Sequence, residues 1–303
     1  MALAFLDRRP TAAATLGALG IAFSGILYRV SHVSPSTGAF YRCAFAVPFL
    51  LAAGAIEDRR LGGRTRRERL LAAAAGLFFV ADLELWHHAV ESVGAGLGTV
   101  LGNTQVVLVA LTAWLLLGER PSRNTLAAIP VVFGGVVLIS GVVGGQAYGS
   151  QPGLGVVYGV LTGIAYTGFL LTLRQGSGRG HAAGPLADAT VVCTLALIPV
   201  GYVIGDLDWW PGWAATGWLL LLALSAQVVG WLLISFSLPR LPAAVSSVLL
   251  TAQPVATVVL AMLLLSESPS SAQLFGAATI LVGLVVVASS RERLVEAPVT
   301  EAG

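Results

Sequence analysis

Long, continuously apolar runs recur along this chain from end to end, and they limit its fold more than any other feature. A run of about 20 apolar residues covers the roughly 30 Å of hydrocarbon in a bilayer at about 1.5 Å of rise per helical residue. Inside hydrocarbon every backbone N–H and C=O must be satisfied by the protein itself, which leaves only helices and closed barrels. A barrel strand alternates apolar and polar residues. These runs do not alternate, so they read as helices. A water-soluble alternative fails on surface chemistry: the chain is 56% hydrophobic and 11% charged, whereas soluble domains carry roughly a quarter charged residues.

Ten spans are predicted: Thr11–Val30, Ser36–Ile56, Arg69–Ala89, Ala95–Leu117, Ser122–Val143, Pro152–Leu173, Pro185–Gly205, Gly212–Ser237, Pro242–Leu265 and Ser270–Ser289. The fold class is therefore an all-α membrane protein. The segment after Arg8 and Arg9 is about as long as a full span and lacks a convincing cleavage site. It is expected to stay as the first helix rather than be removed as a signal peptide.

Orientation follows from the arginines, which supply all 17 basic residues. With the N-terminus in the cytoplasm, the inside segments hold Arg8, Arg9, Arg59, Arg60, Arg64, Arg66, Arg67, Arg69, Arg120, Arg123, Arg174, Arg179, Arg240, Arg291 and Arg293, which is 15 of the 17. Cytoplasmic loops carry such an excess. Arg29 falls outside and Arg42 within the second span. Asp206 and Asp208 also fall outside, beside Trp209, Trp210 and Trp213, which suit an interfacial aromatic belt. The expectation is a multi-pass protein of the cytoplasmic membrane with both termini inside. Membrane lipids are expected partners, and the basic 57–69 segment suits anionic headgroups as well as enforcing topology. Nucleic acid is not an expected partner, because the basic residues do not gather on one face with aromatics between them. Cys43 and Cys193 both lie in apolar runs and read as small core residues rather than a disulfide.

The chain also matches itself at an offset of 148 residues. Val100–Ser122 reads VLGNTQVVLVALTAWLLLGERPS, Val248–Ser270 reads VLLTAQPVATVVLAMLLLSESPS, and 11 of the 23 positions are identical, including Gln105/Gln253, Glu119/Glu267 and Pro121/Pro269. GIAFSGIL at Gly20–Leu27 likewise echoes GIAYTGFL at Gly163–Leu170. A repeat of this length divides the chain into residues 1–148 and 149–303, each with five predicted spans. Five is odd, so the second half is expected to enter the membrane upside down. Inverted repeats of this kind serve alternating access around a midplane site in many secondary transporters.

These residues resemble the EamA-type transporters of the drug/metabolite transporter superfamily. The resemblance rests on AWLLLGERP at Ala113–Pro121 and AMLLLSESP at Ala261–Pro269, each closing the fourth helix of its half. The small-aromatic-small pattern at Ile21–Gly25 fits the first family helix, and Arg42 sits where the second often has an arginine. The resemblance covers nearly the whole chain. It implies ten helices around a central cavity and the export of small metabolites or drugs without ATP. The family's proline before the apolar run is kept at Pro254, whereas the first half has Val106; a kink or unwound turn is therefore not expected there.

Candidate site residues concentrate in the third span, which carries Asp82, Glu84, His87, His88 and Glu91. At about 100° per residue, Glu84, His87, His88 and Glu91 share an arc of about 100°. Ionisable groups at membrane depth are costly unless they face a wet cavity or a partner. Glu84 and His87 are thus expected to bind substrate or handle a coupling proton, with His88 beside them, while Glu91 reaches the outer interface. Asp82 points about 160° away from Glu84, with pairing to Arg42 and substrate binding both open to it. Gln105 and Gln253 are repeat mates near their helix centres, and a buried amide needs partners, so each is a cavity candidate. Gly94, Gly98 and Gly102 make a close-packing face beside Gln105. Tyr166 and Trp231 are further lining candidates, with Ser24, Thr167 and Gln227. Glu84-x-x-His87 has the spacing of a carboxylate–histidine metal pair, but the second pair and extra carboxylates of a di-metal centre are not visible, so no metal or other cofactor is expected.

The reading is a non-enzymatic carrier of a small-molecule substrate, with protons as coupling ion. No Walker A motif, G-x-S-x-G elbow or H-E-x-x-H is found in the sequence. The main rival is an integral membrane enzyme acting on a lipid or small apolar substrate. It would cluster its polar residues at one interface rather than repeat a glutamine at mid-span.

Overall fold

The computed structural model describes residues 10–117, 121–143, 147–177, 180–237 and 243–295, which are helical throughout apart from short turns. Arg8, Arg9, Glu119, Arg120, Arg179 and Arg240 lie outside the described residues. The first half runs α1 (Pro10–Ala22), α2 (Ser24–Ser31), α3 (Pro35–Ala44), α4 (Val47–Leu61), α5 (Arg66–Val93), α6 (Ala95–Gly102), α7 (Gln105–Leu117) and α8 (Arg123–Ile139). The second runs α9 (Pro152–Gly176), α10 (Ala183–Ile204), α11 (Trp213–Leu222), a π-helical stretch at Ala223–Gly230, α12 (Trp231–Ser237), α13 (Ala243–Leu264) and α14 (Ser271–Val295).

Local chemistry sets the helix ends. Thr65 and Glu68 close a reciprocal capping box at the start of α5, satisfying two of its orphan donors. Ser122 accepts from Thr125 N at the start of α8. Pro35 and Pro152 open α3 and α9, where proline's missing N–H is no loss. Gly94, at φ +95°, turns the chain sharply from α5 into α6.

Six helices are long and apolar enough to cross a membrane among the described residues: Thr11–Ser31, Pro35–Leu61, Arg66–Val93, Pro152–Gly176, Ala183–Ile204 and Trp213–Ser237. Arg123–Ile139, Gln253–Leu264 and Ser271–Val287 are shorter apolar helices. The predicted fourth span differs because it is broken. Asn103 Nδ2 donates to Thr99 O (2.8 Å), and Thr104 Oγ1 donates to Leu101 O (2.7 Å). Thr99 O also keeps its ladder bond from Asn103 N (3.1 Å), whereas Leu101 O accepts from Thr104 N (3.0 Å) in a tighter turn, and such side-chain bonds to the backbone accompany helix bends. The turn that Val106 argued against in the first half is therefore present, and Pro254 lies inside an uninterrupted α13.

The bundle is apolar on its outer surface, and its few buried charged groups sit within an apolar interior. Tyr202, Val203, Val142 and Leu115 are 85%, 84%, 82% and 79% exposed, while Arg42, Asp82 and Glu84 are at most 7% exposed. Such a surface suits lipid rather than water. The central packing joins α5 to α9 and α10, α8 to α14, α6 to α13, and α1–α2 to the α11–α12 rod.

Three pairs of helix segments between the halves meet end to start. Glu57 near the end of α4 accepts from Ala182 N, Ala183 N and Gly184 N at the start of α10 (2.9, 3.1 and 2.8 Å). At the far end of the same pair, Asp208 N donates to Thr37 Oγ1 at the start of α3 (2.8 Å). Glu267, just past α13, accepts from Ala95 N and Gly96 N at the start of α6 (2.7 and 3.2 Å). Gln273 at the start of α14 donates to Ile139 O at the end of α8 (3.2 Å). Carboxylates on helix N-termini meet orphan donors and the positive end of the dipole. Burial pushes the Glu267 carboxyl above its ordinary value, although the Ala95 and Gly96 N–H bonds pull it down.

Candidate functional site

The helical interruptions surround the middle of the bundle. The break at Phe23 places Ser24 there, the break at Asn103–Thr104 places Asn103, and the end of the π-helical stretch places Trp231. π-Helical turns inside α-helices recur at functional sites. Between them lies a cavity of about 70 Å3. Its wall takes Ile21 and Ser24 from α1–α2, Arg42 from α3, and Phe79, Asp82, Leu83 and Trp86 from α5. Thr99, Gly102 and Asn103 come from α6–α7, Thr162 and Tyr166 from α9, Trp231 from α12 and Gln253 from α13. Both halves of the chain contribute.

Arg42 is held rather than free. Its Nε donates to Gln227 Oε1 (3.2 Å), Gln227 Nε2 donates to Thr190 Oγ1 (3.4 Å), and its guanidinium lies 5.6 Å from the centre of the Trp86 ring. Asp82 faces the same cavity, with no hydrogen bond or ion pair within 4 Å among the described residues. Thr162 Oγ1 is buried there without a hydrogen-bond partner among the described residues. An aromatic wall runs through Tyr166, Phe169 and Trp231, with Phe79 stacked on Phe169 at 4.5 Å between ring centres. A guanidinium, a carboxyl group, an amide and flat apolar faces thus converge on one space. Such a set orients a small polar molecule through its charges while its apolar part meets the rings.

Of the residues singled out from sequence, Arg42, Asp82, Tyr166, Trp231, Gln253 and Ser24 line this cavity. Gln227 stands behind Arg42, and Thr167 is tied to Gly163 O within α9 (2.8 Å). Glu84, His87 and His88 do not line it. They lie toward the end of α5, where Glu84 Oε1 accepts from Ser36 Oγ (2.6 Å) and sits 3.5 Å from His88 Nε2. His87 bonds Leu83 O through Nδ1 (2.6 Å) and is wedged edge-on between the Tyr28 and Trp86 rings. Glu91 is exposed and accepts from Tyr28 OH (2.9 Å). Gln105 is half-buried at the start of α7, outside the cavity.

The sequence reading passes over Trp86 and Thr162 and does not place Asn103 in the cavity. Asn103 lies in the break between α6 and α7, where helical periodicity does not give its direction. A separate, wider cleft of about 350 Å3 opens at the surface between Tyr28, Arg29, His32, Val33, Ser34 and Glu91.

A model of the EamA-like transporter family matches residues 10–141 and again residues 153–289. The chain belongs to the EamA-like transporter family. The duplicated match falls on the two halves divided by the repeat. Among curated relatives, an uncharacterized transporter of Archaeoglobus fulgidus is 25% identical over 283 residues, covering 90% of this chain and 95% of that protein. An uncharacterized transporter of Synechocystis sp. is 26% identical over 213 residues, covering 68% of this chain and 62% of that protein. The match therefore spans less than two thirds of the Synechocystis relative. One protein crystal structure shares the fold at a TM-score of 0.62 and 18% identity, covering 91% of this chain and 98% of that one. Family, relatives and apolar helices agree on a multi-pass membrane protein of transporter type.

Proposed function

We propose that this EamA-family protein is a secondary transporter that carries a small metabolite or drug across the cytoplasmic membrane by alternating access. The observation that carries the reading is the cavity walled by both halves, into which Arg42 and Asp82 both face. Ionisable groups in a desolvated space are costly unless something uses them. A substrate with a polar or doubly charged head and a flat apolar part would use both, with Tyr166 and Trp231 beside its apolar part.

At about 70 Å3 the cavity falls short of the roughly 300–1,000 Å3 of ordinary ligand sites. In this reading it is a constricted form that must widen toward one side to admit substrate. Three features support an inverted repeat of two five-helix units, residues 1–148 and 149–303, with ten crossings in all. They are the end-to-start contacts through Glu57, Glu267 and Gln273, the duplicated family match, and an odd number of rods per half. Cytoplasmic termini follow from the arginine distribution, and outward transport follows from the family resemblance.

Purified protein in liposomes tests this directly. Counterflow of a radiolabelled solute, screened across amino acids, amines and aromatic metabolites, should find a substrate whose flux falls with Asp82→Asn. Repeating the flux with and without an imposed pH gradient tests whether protons are the coupling ion. Flux in empty liposomes equal to that with protein, for every solute tried, would remove the carrier reading.

A further inference from the structure

Glu84, His88 and Asp206 meet at the end of the bundle, away from the central cavity. One ligand atom of each lies within 4.8 Å of the other two. The residues come from two places: Glu84 and His88 are one turn apart on α5, and Asp206 follows the end of α10.

Ordinary hydrogen bonding does not account for this cluster. Glu84 is only 7% exposed, and while its Oε1 accepts from Ser36 Oγ, its buried Oε2 has no hydrogen-bond partner among the described residues. Asp206 Oδ2 accepts a long bond from Ser36 N (3.4 Å), and its buried Oδ1 likewise has no partner among the described residues. Native structures seldom leave buried polar atoms unpaired, and each exception calls for a cause such as an ion. Here two carboxylates converge, each with an orphaned oxygen, and a histidine nitrogen faces them. Like charges this close oppose each other unless a cation lies between them.

We propose that Glu84, His88 and Asp206 bind a divalent transition-metal ion of the zinc class. One imidazole nitrogen and two carboxylate oxygens, with water completing a tetrahedron, form a ligand set such ions accept. Magnesium and calcium prefer six or more oxygens, which this cluster does not offer. The Ser36 hydroxyl on Glu84 and the Tyr158 ring stacked on His88 at 5.1 Å hold two ligands in place, as supporting groups around metals do. The His88 side chain is 27% exposed, which leaves an entry path. A metal here would tie the end of α10 in the second half to α5 in the first. The Glu84–His87 spacing in the sequence does not include His88, and Asp206 is brought to this place only by folding.

The test uses the full-length protein in detergent, stripped with a chelator and titrated with Co2+ and with Zn2+. Co2+ should develop visible d–d absorption at one equivalent per chain, and Zn2+ should bleach it and raise the melting temperature. Loss of a group that merely supports a ligand weakens metal binding about 10–100-fold. His88→Gln and Asp206→Asn, both on partly exposed side chains, should therefore each weaken binding more than tenfold. Glu84→Gln is buried; if it misfolds, the other two variants still decide. No saturable Co2+ spectrum, or a spectrum unchanged in both His88→Gln and Asp206→Asn, would overturn the site. The readout is binding, so it stands or fails independently of transport.

Discussion

The sulfurs of Cys43 and Cys193 lie 3.7 Å apart, both fully buried, one on α3 and the other on α10. They join a core cluster with Phe79, Leu83 and Phe169 directly behind the cavity. The two cysteines are free thiols packed as small core residues. Their approach means that α3 and α10 pass each other at this depth. A membrane-permeable catalytic oxidant should link them within one chain, and digestion followed by mass spectrometry should recover a reducible peptide pair. Recovery of only unlinked peptides after exhaustive oxidation would place the two helices further apart.

Arg42 and Asp82 should respond to substitution as a charge-balanced set. Asp82→Asn and Arg42→Gln are each expected to lower transport more than tenfold, because each removes a charge that faces the substrate space. In the Arg42→Gln protein the Asp82 carboxylate stays buried without its nearest cation. The double variant should then melt higher than Arg42→Gln alone. Glu84→Gln together with His87→Gln, outside the cavity, should retain more flux than Asp82→Asn. Full transport by Asp82→Asn would move the substrate path elsewhere.

The span pattern was legible because hydrophobic length and internal identity need no tertiary information. The inward-facing side of α5 was not legible in the same way. Four ionisable groups share the Glu84 stripe and only Asp82 stands opposite, so a reading by number of groups favours the stripe. In the structure the stripe runs to the end of the helix, where Ser36, Tyr28 and Asp206 meet it, and the isolated Asp82 faces the cavity. Asn103 was obscured for another reason. The helix is interrupted at Asn103–Thr104, and any angular argument depends on an unbroken helix. Glu57 and Asp206 act across the boundary between halves on helix ends distant in sequence, which no local spacing encodes.

Glu267 should give stability a pH dependence of defined sign. Burial holds its carboxyl above the ordinary value, which is about 4.3 for glutamate. The folded protein therefore binds that proton more tightly than the unfolded chain does. Its contribution is complete below the ordinary value and is lost as pH rises through the folded one. Glu267→Gln keeps an oxygen to accept from Ala95 N or Gly96 N and removes the titration. The melting temperature of the variant should therefore gain on the parent as pH is raised from about 4 toward 8. A constant difference between the two across that range would contradict the shift.

Loop contacts separate into two ends, and this makes the orientation testable. At one end, His181 Nε2 lies 2.9 Å from Gly62 O, and Arg64 bridges Asp58 and Asp188, so the segments following α4 and α9 lie together. Burial alone would lower the Arg64 value, but hydrogen bonds to Asp188 and Asp58 outweigh it and hold the guanidinium charged. At the other end, Tyr28 meets Glu91, Ser150 Oγ donates to Glu91 O, Tyr148 N donates to Gln273, and Tyr41 OH donates to Trp209 O. The basic residues Arg59, Arg60, Arg66, Arg67 and Arg69 belong to the first end, and Arg29 belongs to the second. An arginine excess marks the cytoplasmic side. Green fluorescent protein joined after Gly63 should fluoresce, and alkaline phosphatase joined after Tyr148 should be active. The opposite pair of results would reverse the orientation. Both junctions reporting the same side would contradict the separation of loops into two ends, and with it the upside-down entry of the second half.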